Sequence, residues 1–391
     1  MNHLLFSYHT CPMEEPGVGL SGGMNVFLRS LLPGLAAHGF RTDVLTRGKG
    51  TGVEITRPFP GVRIVHLPCG WRVPVSRESA WDALPRFVRK ARELLAAGRT
   101  AYDVVSAHYW MSGIASLESG LRPAAFAYHT IEARKAGSAG TPPQALPAIR
   151  REAEKRLARE VSRVVCFSED DLAGTREIFP AVAGKGTVIP PGVDDAFRNP
   201  PPRAGARQKR GIPAGAFLFL LAAREDPGKN VVSAIEAFRA LRAEEGNRLR
   251  LLVAGQKLPA ALLPEGAACA GPVPHAEMPA LFSAADAVLC PSSYESFGLV
   301  PLEAMAAGKP VIVPRAGFWG ETIRSEGGGV TYAPKAKTGL AGAMRAVCLE
   351  ETLRARLAEE GKRIAARFTW ERCTSLWARL LSSAARPGSP R

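Results

Sequence analysis

The stretch Pro291–Ile323, PSSYESFGLVPLEAMAAGKPVIVPRAGFWGETI, decides how the chain is read. Two carboxylates, Glu295 and Glu303, flank the small turn Ser296-Phe297-Gly298-Leu299. A short helix pattern follows, with Pro301 suited to its first turn and Gly308 to its C-terminal cap. Pro310-Val311-Ile312-Val313-Pro314 then reads as a buried strand, and Asp286–Pro291 reads as another. Strand, glycine turn, short helix and strand is how an α/β sheet presents backbone N–H groups and a positive helix end to an anion. A carboxylate one turn into that helix can instead hold sugar hydroxyls. On spacing alone, an ordinary βαβ unit in which Glu303 merely favours the helix dipole fits equally well.

Away from this stretch the same alternation repeats. Strand patterns at 4–8, 42–46, 62–67, 103–107, 124–129 and 164–168 are interleaved with helical patterns at 24–37, 80–97, 144–160 and 170–178. Val188-Ile-Pro-Pro-Gly-Val-Asp194 breaks the pattern, and Asn199-Pro-Pro-Pro-Arg-Ala-Gly fits a domain linker. Alternation restarts with strands at 217–222, 249–254 and 286–291 and helices at 231–245 and 276–284. Helices over about 335–349, 351–366 and 368–383 complete the chain, with a disordered tail at 384–391. Such βα alternation predicts parallel sheets covered on both faces. The fold class is α/β, with two doubly wound, Rossmann-like domains at 1–195 and 196–368. Their ligand crevices belong at the carboxyl ends of the strands, and set face to face they make an interdomain cleft.

Composition narrows the function. A chain of 391 residues suits two ordinary domains, and 46% hydrophobic residues is a soluble globular level. The N-terminal MNHLLFSYHTCPMEEP lacks the basic and long apolar segments of a secretory signal. The seven cysteines are scattered without a C-x-x-C pair, which suggests neither a disulfide framework nor a zinc site. The reading is a cytoplasmic protein. A net charge of +15 suits a nucleic acid, a phosphate-rich substrate or an anionic membrane surface alike. No nucleic-acid motif accompanies it, and the arginines are spread along the chain, so nucleic acid is not the expected partner.

The residues themselves say more. Glu295-Ser-Phe-Gly-Leu-Val-Pro-Leu-Glu303, followed by Ala-Met-Ala-Ala-Gly-Lys-Pro-Val-Ile, resembles the donor-binding signature of the family 4 retaining glycosyltransferases. The resemblance implies a GT-B fold, with 369–391 packing back onto the first domain. It implies that Glu303 accepts hydrogen bonds from the ribose of a nucleotide-sugar. It places Glu295 and the backbone amides near Phe297, Gly298 and Leu299 on the transferred sugar.

Three further segments fall in the family order. Gly17-Val-Gly-Leu-Ser-Gly-Gly-Met-Asn25 is a loop entering a helix N-terminus, where glycines let amides approach a phosphate. By itself such a cluster is more often a plain loop; the resemblance sets Gly22 and Gly23 against donor and acceptor. In Ala223-Arg-Glu-Asp-Pro-Gly-Lys-Asn230, Arg224 and Lys229 are candidates for neutralising the leaving diphosphate. A solvated charged loop is the usual fate of such a run, and the family's Gly-Arg stands here as Ala223-Arg224. In Tyr128-His-Thr-Ile-Glu-Ala-Arg-Lys135, a lone histidine is more often structural. The resemblance puts His129 beside the donor sugar, as a hydrogen-bonding residue more than a proton shuttle.

Within the family, Gly22–Val26, Ser106–Gly113, His129-Thr130 with Lys135, and Pro190–Asp194 resemble members of mycothiol and sucrose-phosphate synthesis, which act on phosphorylated acceptors. That likeness implies an acceptor pocket of Asn25, Tyr109, Thr130, Lys135 and Arg150, with Arg72 or Arg77 in place of a lysine. A charged helix surface is the bland reading of Arg150. The connection from Gly255 to Ala284 is shorter than in those members, which bears on the nucleotide base. No Asp-x-Asp motif occurs, so no metal is expected. The leading expectation is a retaining transferase using a UDP-sugar, with a sugar or polyol acceptor, for which the likeness to those members implies a phosphate. Rivals are a glycan- or lipid-linked acceptor, a phosphorylase or epimerase of the same fold, and a non-catalytic scaffold or nucleic-acid-binding protein.

Overall fold

A computed structural model describes residues 1–16, 21–70, 77–98, 100–139, 145–224, 226–334, 336 and 339–385. Arg72, Gly17–Leu20 of the glycine loop and the tail from 386 onward lie outside the described residues. The chain divides into a first compact unit, Met1–Pro191 with Trp370–Arg391, and a second, Gly192–Thr369.

In the first unit the order is β1 (Asn2–Phe6), α1 (Gly23–Ala37), β2 (Arg41–Gly48), β3 (Glu54–Phe59), β4 (Val62–Pro68), α2 (Arg77–Ala97), β5 (Val104–His108) and α3 (Trp110–Glu118). Then come β6 (Ala125–Ala127), α4 (Glu132–Ala139), α5 (Ala145–Glu160), β7 (Val164–Cys166), α6 (Glu169–Ile178) and β8 (Gly186–Val188). The sheet order is β3-β4-β2-β1-β5-β6-β7-β8. Every pairing is parallel except β3 with β4, which is antiparallel. This corrects the expectation of a purely parallel sheet. β3, with Thr, Arg and Pro in a half-exposed strand, carries too little apolar signal to read as one. Continuous apolar runs make the inner strands, and β5 is buried along its whole length. Their core contains Leu4, Phe6, Leu45, Leu67, Phe87, Trp110, Phe126 and Leu157.

The second unit runs α7 (Asp195–Arg198), α8 (Arg203–Gln208), β9 (Phe217–Ala222), α9 (Val231–Glu245), β10 (Leu249–Ala254), β11 (Ala267–Gly271), α10 (Met278–Ala284) and β12 (Ala287–Leu289). It continues with α11 (Leu299–Ala306), β13 (Val311–Pro314), α12 (Gly317–Glu326), β14 (Gly329–Tyr332), α13 (Gly339–Leu349) and α14 (Glu351–Ala365). The sheet is parallel throughout, in the order β11-β10-β9-β12-β13-β14. Phe219, Leu221, Phe238, Leu251, Val253, Ile312 and Met344 fill its core. The proline-rich 199–205, expected as a linker, lies inside this unit and leads into α8. The reason is a set of long-range anchors: Arg203 and Arg207 both pair with Asp286, and Ser283 Oγ donates to Pro201 O at 2.6 Å.

The last helix, α15 (Trp370–Ala384), belongs to the first unit and packs on α1. The approach is close enough that a Cβ on Gly34 would lie 2.2 Å from Thr374 Cγ2. Trp377 is fully buried there, 5.1 Å from the His108 ring.

Each sheet has a point where strand order reverses, between β1 and β5 in the first and between β9 and β12 in the second. Ligand crevices of doubly wound sheets form beside the carboxyl ends of strands at such points.

Candidate active site

In the second unit the reversal point carries the loops 223–230 and 290–298. Asp226 Oδ1 accepts from Gly228 N at 3.0 Å and sets a short turn over Pro227–Lys229. Asn230, at φ +50°, donates from Nδ2 to Pro291 O at 2.9 Å and to Ser293 Oγ at 2.7 Å. Ser293 N donates to Gly228 O at 2.9 Å. These bonds tie the two loops together and set Lys229 Nζ against Glu295 Oε1 at 2.5 Å. Both side chains stay partly open, at 22% and 33% exposure. Arg224, half-buried, has no carboxylate partner among the described residues. Two basic side chains beside one another, one held by a partly open acid, can receive a diphosphate.

The turn into α11 depends on Gly298, at φ +87°, a backbone region unfavourable to other residues. Its carbonyl accepts from Trp319 Nε1 at 2.9 Å, and a Cβ on it would press the indole at 3.1 Å. Phe297 is buried against Phe318, Trp319 and Phe368. This anchoring fixes the backbone from which the first N–H groups of α11, starting at Leu299, project. Glu303, one turn on, is buried, and His275 Nε2 lies 3.0 Å from its Oε1. Sequence reading missed His275. A histidine in a short connection carries no local signal, and its partner is 28 residues away.

At the reversal point of the first unit, Gly22 N donates to Asn25 Oδ1 at 3.1 Å, while Asn25 Nδ2 donates to Cys11 O at 2.7 Å and Thr10 Oγ1 at 3.2 Å. Asn25 is fully buried, and its amide is spent on holding the loop before α1. Gly23, exposed, opens the helix. His129 follows β6 at φ +60°, with its Nε2 3.0 Å from His108 Nδ1. Burial lowers its pKa from 6.5 to about 3, so the ring is neutral and works as a hydrogen-bonding group. Phe27 and Phe167 pack on it.

Arg150 departs most from expectation. It is 4% exposed and donates from Nε to Glu154 Oε1 at 2.7 Å, from Nη1 to Tyr109 OH at 3.3 Å, and from Nη2 to Thr130 O at 2.7 Å and Thr130 Oγ1 at 3.0 Å. Glu132 Oε2 lies 3.2 Å from Nη1. Burial works against its charge, but Tyr109, Glu154 and Glu132 outweigh that and hold the guanidinium above the usual arginine range. Arg150 is engaged by Thr130, Tyr109 and the two acids, and Asn25 by Gly22, Cys11 and Thr10, whereas the expected acceptor pocket has both facing a phosphate. The charged pattern of α5 hid this, because the two carboxylates that neutralise Arg150 include one outside the helix. Lys135 sits half-buried in α4; Arg77 opens α2.

Doubly wound units with these groups at their strand ends define a glycosyltransferase of GT-B fold. Comparison with known proteins agrees. The model of Glycosyltransferase Family 4 matches residues 21–197, and that of Glycosyl transferases group 1 matches 203–364. A D-inositol 3-phosphate glycosyltransferase of Pseudarthrobacter chlorophenolicus is 33% identical over 332 residues, covering 80% of this chain and 79% of its own. One from Stackebrandtia nassauensis is 30% identical over 388 residues, covering 94% and 88%. Sucrose-phosphate synthase from Thermosynechococcus elongatus superposes with a TM-score of 0.85 at 26% identity, covering 98% of both chains. The chain belongs to the family 4, group 1 glycosyltransferases. No helix among the described residues is long and apolar enough to cross a membrane.

Proposed function

We propose that the chain transfers a sugar, with retention, from a nucleotide diphosphate sugar, a UDP-sugar, to a hydroxyl of a small phosphorylated sugar or polyol. The observation that carries the donor half is the Lys229–Glu295 pair beside Arg224, which has no carboxylate partner among the described residues, at the carboxyl ends of β9 and β12. An incoming diphosphate takes over Lys229 and joins Arg224, which frees Glu295 to accept hydroxyls of the sugar. The bond from the sugar's anomeric carbon to the β-phosphate oxygen breaks, and the acceptor oxygen bonds to the same face. The acceptor proton passes to the departing phosphate, whose growing charge Arg224, Lys229 and the N–H groups of α11 stabilise. In the first unit, Gly22, Gly23 and neutral His129 are the candidate substrate contacts. Glu303 holds the ribose. Two cations already meet the diphosphate, so the reaction should run undiminished in EDTA.

The phosphorylated acceptor is supported by the names of the relatives, an inositol 3-phosphate glycosyltransferase and a sucrose-phosphate synthase. The test is calorimetry with UDP-, GDP- and ADP-sugars, followed by mass spectrometry of products with inositol phosphates and hexose phosphates. Anomeric proton couplings of the product report retention. Absence of binding to all three donor classes overturns the reading.

A further inference from the structure

We infer that His275 is a positioning residue for donor recognition: it holds the Glu303 carboxylate in the orientation that distinguishes a ribonucleotide from its 2′-deoxy counterpart. The inference rests on the proposed role of Glu303 at the ribose.

Glu303 lies on α11 with its side chain 8% exposed, and a carboxylate in such a place needs a donor. His275 Nε2 at 3.0 Å from Oε1 is its one hydrogen-bond partner among the described residues. A carboxylate can only accept, so the Nε2 atom carries the proton and donates it. That bond takes one lone pair of Oε1 and fixes the carboxylate plane, leaving Oε2 with both of its lone pairs to accept hydroxyls of a ligand. Without the histidine, the carboxylate turns about its last torsion, which is broad and only weakly restrained. A diol recognised by an oriented carboxylate is then met by one that swings.

The histidine is itself held. It opens a short turn, His275–Glu277, behind Pro274 and ahead of α10, and the Phe197 ring of α7 packs on it at 5.4 Å between centroids. Its side chain is 20% exposed, so it is neither a core packing residue nor a free surface group.

The test is calorimetry on the full chain with UDP, GDP and ADP, each beside its 2′-deoxy form. For the diphosphate that binds, the wild-type chain should prefer the ribonucleotide by about tenfold or more, the worth of a hydrogen bond to a charged group. His275→Ala should erase most of that preference by weakening the ribonucleotide, leaving the deoxynucleotide and saturated turnover close to wild type. His275→Gln, which keeps an N–H donor at a similar reach, should restore it. Equal loss for ribo and deoxy forms in His275→Ala marks a packing role and overturns the inference. If Glu303→Ala keeps the ribose preference, the reading of Glu303 itself fails. If Glu303→Ala loses it and His275→Ala keeps it, only the inference fails.

Discussion

The loops after β9 and β12 differ in kind from those around β6 and α5. In the first pair, the charged side chains are partly open: Lys229 and Glu295 retain 22% and 33% exposure, and Arg224 has no acid partner among the described residues. In the second, Arg150 and Glu154 retain 5% and 0%. Both regions hold an ion pair of similar length, yet one is partly open and the other buried. An open pair surrenders little when a ligand replaces one partner. A buried pair cannot be opened without leaving a charge unpaired in the interior. Exposure, rather than residue type, separates the pair proposed to meet the donor from the pair closed inside the protein.

The contrast breaks most visibly at Arg150. Arg150→Ala strands Glu154 at 0% exposure, and removing one partner of a buried pair costs about 3–5 kcal/mol. Urea unfolding should show it, and a loss confined to acceptor KM would make Arg150 a receptor after all. Arg224→Ala should do the reverse. Turnover should fall by about 10²–10³, the range for losing a group that stabilises developing charge, with unfolding free energy within about 0.5 kcal/mol of wild type. A variant that loses stability and keeps turnover would erase the distinction between the two regions.

Asn25→Ala sharpens it on the glycine loop. With Gly22 N and Cys11 O both losing a partner, about 1–3 kcal/mol of stability should go. Rising donor and acceptor KM together would follow from a loosened loop. Last comes the pH effect in the first unit. Burial lowers the pKa of His3 and of His129 from 6.5 to about 3. Below 6.5 the unfolded chain takes up protons that the folded ring refuses, so stability present above that pH is lost as pH falls. For fully buried His3 the slope approaches about 1.4 kcal/mol per pH unit between those values, less for half-buried His129. Denaturant midpoints from pH 7.5 to 5 should decline steadily; a flat profile would mean the rings are not held neutral.

Much of the framework was legible because it is local. Phe217–Ala222, Val231–Glu245 and Leu249–Ala254 form elements with the bounds their apolar patterns imply. The family signature over Pro291–Ile323 likewise lies in one run of chain. What escaped was weakly apolar or split between segments. β8, β11 and β14 are short, and β11 is built of Ala, Cys and Gly. His275 finds Glu303 across 28 positions, and Lys229 finds Glu295 across 66.

By itself, then, the sequence determined the reaction class. Glu295, the Gly298 turn and Glu303 need only one strand, one turn and one helix to take their places, and short-range geometry dictates these. Tertiary structure alone decided which polar residues are spent inside the protein and which remain for a ligand. Burial is a property of everything that packs around a side chain. Arg150 and Arg224 are alike as residues; the acids and the Tyr109 ring that the fold brings to Arg150, with no acid at Arg224 among the described residues, set them apart.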